Sequence, residues 1–308
     1  MKTARLHPFA CLTLVFLLQC GGVLRAEKED LAGPPIVTAK TWAVMDAVSG
    51  ELIASHLPDQ PVKAASTTKM MTCLTVLRLA EENPAVLEEM IELSEFAAAT
   101  KGSRAELATG EKLRVADALY ALMLPSGNDC ANAIAEHFHP RLPPPGEDSP
   151  AALTSAVYKT RANFIAQMNR NALELGMKNT VYLSAIGDGG TTIDPTTTAR
   201  DLLILARQAM GNPRFREVVG TRSYSAPVGL PEGGSRTGEW ENTNELLEWE
   251  NYDGVKTGTT VTAGRCLVAS GRHEDRHLFV CVLGSAGGNA RYADTRNLFR
   301  WAWNNAAR

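Results

Sequence analysis

The chain has 308 residues, 44% hydrophobic and 21% charged, with a formal net charge of −3 at pH 7. That balance excludes a disordered or fibrous polymer and supplies enough apolar surface for a real core, in one large domain or two lobes. The mild acidity argues against a nucleic-acid partner, which would need a basic face for its phosphates.

The first 26 residues read as a secretory signal peptide: Lys2 and Arg5 precede an apolar run over 9–18, and no Asp or Glu occurs before Glu27. The run is too short to favour a membrane span. Gln19 stands where a lipoprotein leader carries a small residue, so Cys20 is not expected to be lipidated. The mature chain is therefore expected to be exported, periplasmic or wall-associated, with no membrane anchor. It keeps Cys73, Cys130, Cys266 and Cys281 without any C-x-x-C pair. They read as small buried apolar residues, although an even number in an exported protein also permits disulfides.

In chain order, residues 41–46 (TWAVMD) alternate like a strand, 47–50 turn, and 51–56 return, which makes a hairpin. A helix follows from Ser66 through Met70, Leu74 and Leu77, then helical stretches are expected at 84–90, 114–124 and 129–138. Residues 140–150 (PRLPPPGEDSP) are a loop by composition, 152–175 a helix stopped by Gly176, and 180–198 irregular. A helix is expected at 199–210, a loop at 229–238, β-rich runs at 255–259, 265–270 and 278–284, and a closing helix at 293–306. A hairpin at the start and strands at the end imply one antiparallel sheet built from both chain ends (about 36–66 and 240–308), with a mainly helical lobe (about 67–239) inserted.

Three short motifs carry chemistry. Ser66-Thr67-Thr68-Lys69 puts a hydroxyl and an amine one helical turn apart, so Lys69 can take the Ser66 proton if burial or nearby cations lower its pKa. Ser126-Gly127-Asn128 lies between two helices, where a hydroxyl can relay a proton and an amide can orient both the lysine and a substrate. Lys256-Thr257-Gly258 lies on an expected strand, with a cation and hydroxyl for a carboxylate and a glycine that leaves room for a substrate backbone. His273-Glu274-Asp275-Arg276-His277 matches a zinc-protease pattern, but it sits between two strands as a hairpin loop, so no metal site is expected there.

The ordered motifs resemble those of penicillin-binding proteins and serine β-lactamases. More narrowly, AASTTKMMT, LMLPSGNDCANAIAE, MNRNALELGMKNT, NTNELL and GVKTGTTVTAGRCLVASG are similar to the low-molecular-mass D-alanyl-D-alanine carboxypeptidases. The resemblance runs from about Trp42 to Trp303 and implies the two-lobed α/β fold of the β-lactamase/DD-peptidase group. It implies Ser66 as acylated nucleophile, Lys69 as general base, and Ser126 and Asn128 as proton shuttle and substrate orienter. It implies Lys256, Thr257, Gly258, Thr259 and Arg291 as the substrate-binding set, with the backbone N–H groups of Ser66 and Thr259 as oxyanion hole. Acyl transfer through serine needs no cofactor; the implied partners are a peptidoglycan pentapeptide and β-lactams as covalent inhibitors.

Three departures from the family pattern flank the expected cleft: a longer segment with the Pro-rich loop 142–145, Ile186-Gly187-Asp188, and Pro195-Thr196-Thr197-Thr198. The β-rich C-terminal domain and amphipathic anchor of many members are not expected here. The Glu-x-x-Leu-Asn element that activates deacylating water in many β-lactamases is missing between Asn128 and Lys256, which favours a DD-carboxypeptidase inhibited by penicillin. A DD-endopeptidase, a β-lactamase and a non-catalytic wall-binding or β-lactam-sensing protein are the alternatives.

Overall fold

The computed structural model describes residues 33–147, 149–187 and 196–305. The expected signal peptide, and Asp188 and Pro195 of the altered segments, lie outside the described residues. No helix among the described residues is long and apolar enough to cross a membrane.

Strands β1 (Thr41–Asp46) and β2 (Leu52–His56) form the expected hairpin, its turn held by Asp46 Oδ1 accepting the N–H groups of Val48 and Ser49. After the short β3 (Val62–Lys63), a 3₁₀ turn Ala65–Thr68 leads into α1 (Lys69–Glu82), so Ser66 sits in the tight turn that starts the helix. Next come β4 (Met90–Glu92), α2 (Glu95–Ala98), β5 (Lys112–Arg114), α3 (Val115–Met123) and α4 (Asn128–Phe138). Two 3₁₀ turns, Ala151–Thr154 and Ala156–Tyr158, precede α5 (Ala162–Glu174), which Gly176 ends in a left-handed conformation (φ 77°). The rest is β6 (Thr196–Thr197), α6 (Ala199–Ala209), α7 (Pro213–Gly220), β7 (Ser223–Gly229), β8 (Ser235–Glu241), β9 (Tyr252–Thr260), β10 (Gly264–His273), β11 (Arg276–Ser285) and α8 (Ala290–Asn305).

The main sheet has the order β2-β1-β11-β10-β9, all antiparallel, so the first hairpin joins the last three strands as expected. Alternation sorts its side chains onto two faces. Ala43, Met45, Val268, Phe279, Cys281 and Leu283 enter the large core shared with the helices. Trp42, Val44, Leu267, Ala269, Val280 and Val282 pack instead against Leu298, Phe299 and Ala302 of α8. Because both faces are covered, the strands read as nearly unbroken apolar runs.

The middle of the chain also carries a second sheet, β4-β5-β7-β8, which sequence periodicity misses. Residues 229–238, expected as a loop, are the end of β7, a tight turn and half of β8. Only Ala226, Val228 and Trp240 are buried apolar positions of this hairpin, and Pro227 interrupts it, so its strand signal is weak. The proline is tolerated because β7 meets β5 only at Gly229. The expected helix over 152–175 is likewise divided into two 3₁₀ turns and α5, and the 84–90 helix is a 3₁₀ turn followed by β4.

The four cysteines among the described residues are buried and unpaired, and burial pushes each thiol pKa up. The Pro-rich segment does not line the cleft. Its carbonyls at His139 and Leu142 accept from Asn163 Nδ2 and that of Pro143 from Arg170, which holds the loop against α5.

Candidate active site

The nucleophile candidate is positioned by a strained entry into α1. Ala65 has φ 47°, a conformation uncommon for a residue with a side chain, and it turns the backbone so that Ser66 faces β9. A Cβ at Gly258 would stand 3.2 Å from Ser66 N and 3.3 Å from Thr67 N. Glycine at 258 thus lets β9 close on the Ser66 turn; the space expected for substrate backbone is occupied here by the enzyme's own turn.

Lys69 is fully buried, and its Nζ lies 3.1 Å from Ser66 Oγ, 2.7 Å from Asn128 Oδ1 and 3.1 Å from the Ile186 carbonyl. A neutral amine at that point donates to the two carbonyl-type oxygens and turns its lone pair to the serine hydroxyl. Asn128 is itself clamped, its Nδ2 donating to the Lys101 carbonyl at 2.7 Å and its N–H to the Ser103 carbonyl at 2.8 Å. Ser126, between α3 and α4, has φ 64° and a buried hydroxyl without a hydrogen-bond partner among the described residues. An orphan hydroxyl and a left-handed non-glycine residue each cost on the order of 1–3 kcal/mol, and such costs concentrate at functional sites.

Across the cleft, Lys256 is buried and its Nζ donates to the Thr257 carbonyl at 3.0 Å. Burial first, then the charges of Lys69 and Arg291, hold its pKa well below the ordinary lysine value. Arg291, at the start of α8, reaches back to β9 and donates from Nη1 to Thr259 Oγ1 at 2.9 Å, its guanidinium lying over the Tyr292 ring. Ser66, Lys69, Ser126, Asn128, Lys256, Thr257, Gly258, Thr259 and Arg291 thus come from α1, the α3–α4 turn, β9 and α8 to one place.

Two groups that motif reasoning left without a role also hold the site. Thr243 donates its N–H to the Leu124 carbonyl, shares a 2.7 Å hydroxyl contact with Thr257, and its carbonyl accepts from Tyr292 OH at 2.8 Å. It therefore ties the Ser126 turn, β9 and the start of α8 together; its signal was the NTNELL motif. The Ile186 carbonyl is the other, and Gly187 explains why: a Cβ there would stand 1.8 Å from the Ala65 carbonyl oxygen. The segment can reach Lys69 only with glycine at that point, and a backbone acceptor leaves no trace in residue type.

The His-Glu-x-x-His match falls where expected, with His273 ending β10 and Arg276 opening β11. His273 stacks on Trp303 and His277 contacts Ser270 Oγ at 2.9 Å, so both rings have structural partners. Among the described residues no group of three or more His, Cys, Asp or Glu is placed to hold a metal ion.

The family model described as D-alanyl-D-alanine carboxypeptidase matches residues 28–140 and 145–287. A D-alanyl-D-alanine carboxypeptidase of Streptomyces sp. (strain K15) is 33% identical over 291 residues, 93% of this chain and 94% of that one. D-alanyl-D-alanine carboxypeptidase DacC of Escherichia coli is 28% identical over 286 residues, and there the chain spans 64% of the relative's length. The crystal structure of the Streptomyces K15 DD-transpeptidase superposes with a TM-score of 0.77 at 31% identity, covering 88% of this chain and 99% of that one. With the motifs, their geometry and the full-length match in agreement, the chain belongs to the D-alanyl-D-alanine carboxypeptidase family.

Proposed function

We propose that the protein is a serine D-alanyl-D-alanine carboxypeptidase that trims peptidoglycan stem peptides through an acyl-enzyme on Ser66. The observation that carries the reading is the placement of buried Lys69 Nζ between Ser66 Oγ and Asn128 Oδ1, with the Lys256, Thr257 and Arg291 group on the facing strand and helix. Ser66 Oγ attacks the carbonyl carbon between the two terminal D-alanines while its proton passes to Lys69. The oxyanion forms against the N–H groups of Ser66 and Thr259, and losing one such donor typically costs about a hundredfold in rate. Collapse expels D-alanine, whose amine takes a proton by way of Ser126, and water then releases the shortened peptide. The terminal carboxylate lies at Thr257 and Arg291, with Lys256 buried behind them, where the ligand's negative charge favours its protonated form. β-Lactams acylate the same serine, and export to the cell wall follows from the leader.

A second outcome of the same acyl-enzyme is transfer to an amine, since the solved Streptomyces relative is a DD-transpeptidase. One experiment addresses both: D-alanine release from acyl-L-Lys-D-Ala-D-Ala by residues 27–308, with and without glycylglycine, and with Ser66→Ala as control. Release abolished by Ser66→Ala is the expected result, and glycylglycine adduct in its place identifies a transpeptidase. Neither product, with penicillin still labelling Ser66, would turn the reading to an endopeptidase or a sensor.

A further inference from the structure

The cleft does not stop at the catalytic group. From Ser66, Asn128 and Thr259 it continues as a cavity of about 480 Å³ toward α2, the loop after it and α4, where Phe96, Lys101 and Asn132 line it. The carboxylate-binding cations Lys256 and Arg291 are not part of this extension. A peptide whose terminal carboxylate meets them therefore sends its preceding residues, the acyl-donor side, into it.

The chemistry of the extension is one-sided. Among the described residues Lys101 is the one charged residue that lines it, with an exposed side chain, and its ammonium makes no hydrogen bond or ion pair with any of them. Other nearby charges are engaged: Arg104 donates to the carbonyls of Thr100 and Leu107 and lies 3.8 Å from buried Asp129, and Arg161 lies 4.0 Å from Glu136. The Lys101 backbone is fixed because its carbonyl holds Asn128. Phe96 is 50% exposed, and the Arg161 guanidinium, 3.9 Å from the ring centroid, occupies one side of its ring. The cavity thus offers a fixed aromatic wall and one uncompensated cation.

We propose that this extension is a subsite for a side-chain carboxylate on the donor peptide, with Lys101 reading that carboxylate and Phe96 packing against the methylenes that carry it. The proposal rests on the carboxypeptidase reading and names its substrate class: stem peptides whose third residue is a diamino acid bearing a side-chain carboxylate, over those with lysine. Lys101 is a specificity residue, and the acyl-transfer steps do not pass through it.

The test compares two peptides that differ by that one carboxylate, acyl-γ-D-Glu-X-D-Ala-D-Ala with X as meso-diaminopimelate or L-lysine. The readout is the ratio of kcat/KM values on each variant, in which any general damage cancels. The wild type favours the diaminopimelyl peptide, Lys101→Ala lowers the ratio about fivefold, Lys101→Glu inverts it, and salt weakens it. A parallel arm measures acylation of Ser66 by carbenicillin, whose side chain bears a carboxylate, against ampicillin, whose side chain bears an ammonium. That ratio follows the same order even if no peptide is hydrolysed, which separates failure of the carboxypeptidase reading from failure of the subsite. Ratios equal across the three proteins overturn the subsite while leaving the activity standing. No acylation and no hydrolysis by the wild type overturn both.

Discussion

Lys256, in its proposed role, trades stability for binding. Its depressed pKa means that the folded state resists protonation where the unfolded chain, with its lysine near 10.5, accepts it. Stability is therefore favoured above 10.5 and declines as pH falls toward the folded value. Replacing Lys256 by Met should stabilise the protein at pH 7 by about 1–2 kcal/mol and lower kcat/KM at least about a hundredfold. Denaturant titrations should show the stability gap closing as pH rises above 10.5, where the lysine is neutral in both the folded and the unfolded chain. Gly187 makes the opposite case, a residue with no functional group of its own. Gly187→Ala sets a methyl against the Ala65 carbonyl, so the segment carrying the Ile186 carbonyl must retreat from Lys69. The expected result is at least about tenfold slower labelling by fluorescent penicillin, together with a lowered Tm.

At the scale of elements, the helical part is held by polar ties between segments that periodicity cannot connect. Glu89, just before β4, accepts both Arg141 guanidinium nitrogens at 2.7 and 2.8 Å and contacts His137, clamping the end of α4 and the start of the Pro-rich loop. The Arg141 hydrogen bonds above all bring its pKa down to about 2. A depressed carboxyl contributes stability above the ordinary value near 4.5 and loses it as pH falls toward 2. Glu89→Gln should cost about 1 kcal/mol in urea unfolding at pH 7, and the difference should vanish near pH 2. Asp129 acts similarly inside the site wall, accepting the N–H groups of Ala105 and Leu107 and so fixing the loop whose carbonyls hold Asn128.

Across the whole molecule, the site exists only where two distant parts of the chain meet. Ser66 and Ser126 come from the helical side and Lys256 and Arg291 from the last strands and helix, so a ligand that touches both bridges them. Acylation by penicillin should raise Tm by at least about 3 °C in the wild type and not in Ser66→Ala, as differential scanning fluorimetry would register. The hairpin, the terminal strands, most helices and the three ordered motifs were legible because alternation, helical period and residue order are local. The β7–β8 hairpin was not, since Pro227 and Gly238 break its pattern and its strength comes from burial of Trp240, whose indole donates to the Ala105 carbonyl. The sequence by itself determined which side chains are candidates for the proposed chemistry and in what order they occur, because residue type sets reactivity. Only the tertiary structure decided that Gly258 and Gly187 are spacers, that Ile186 and Lys101 act through backbone carbonyls, and that Thr243 joins three elements. Those roles depend on distances between atoms that every residue possesses, and only folding sets such distances.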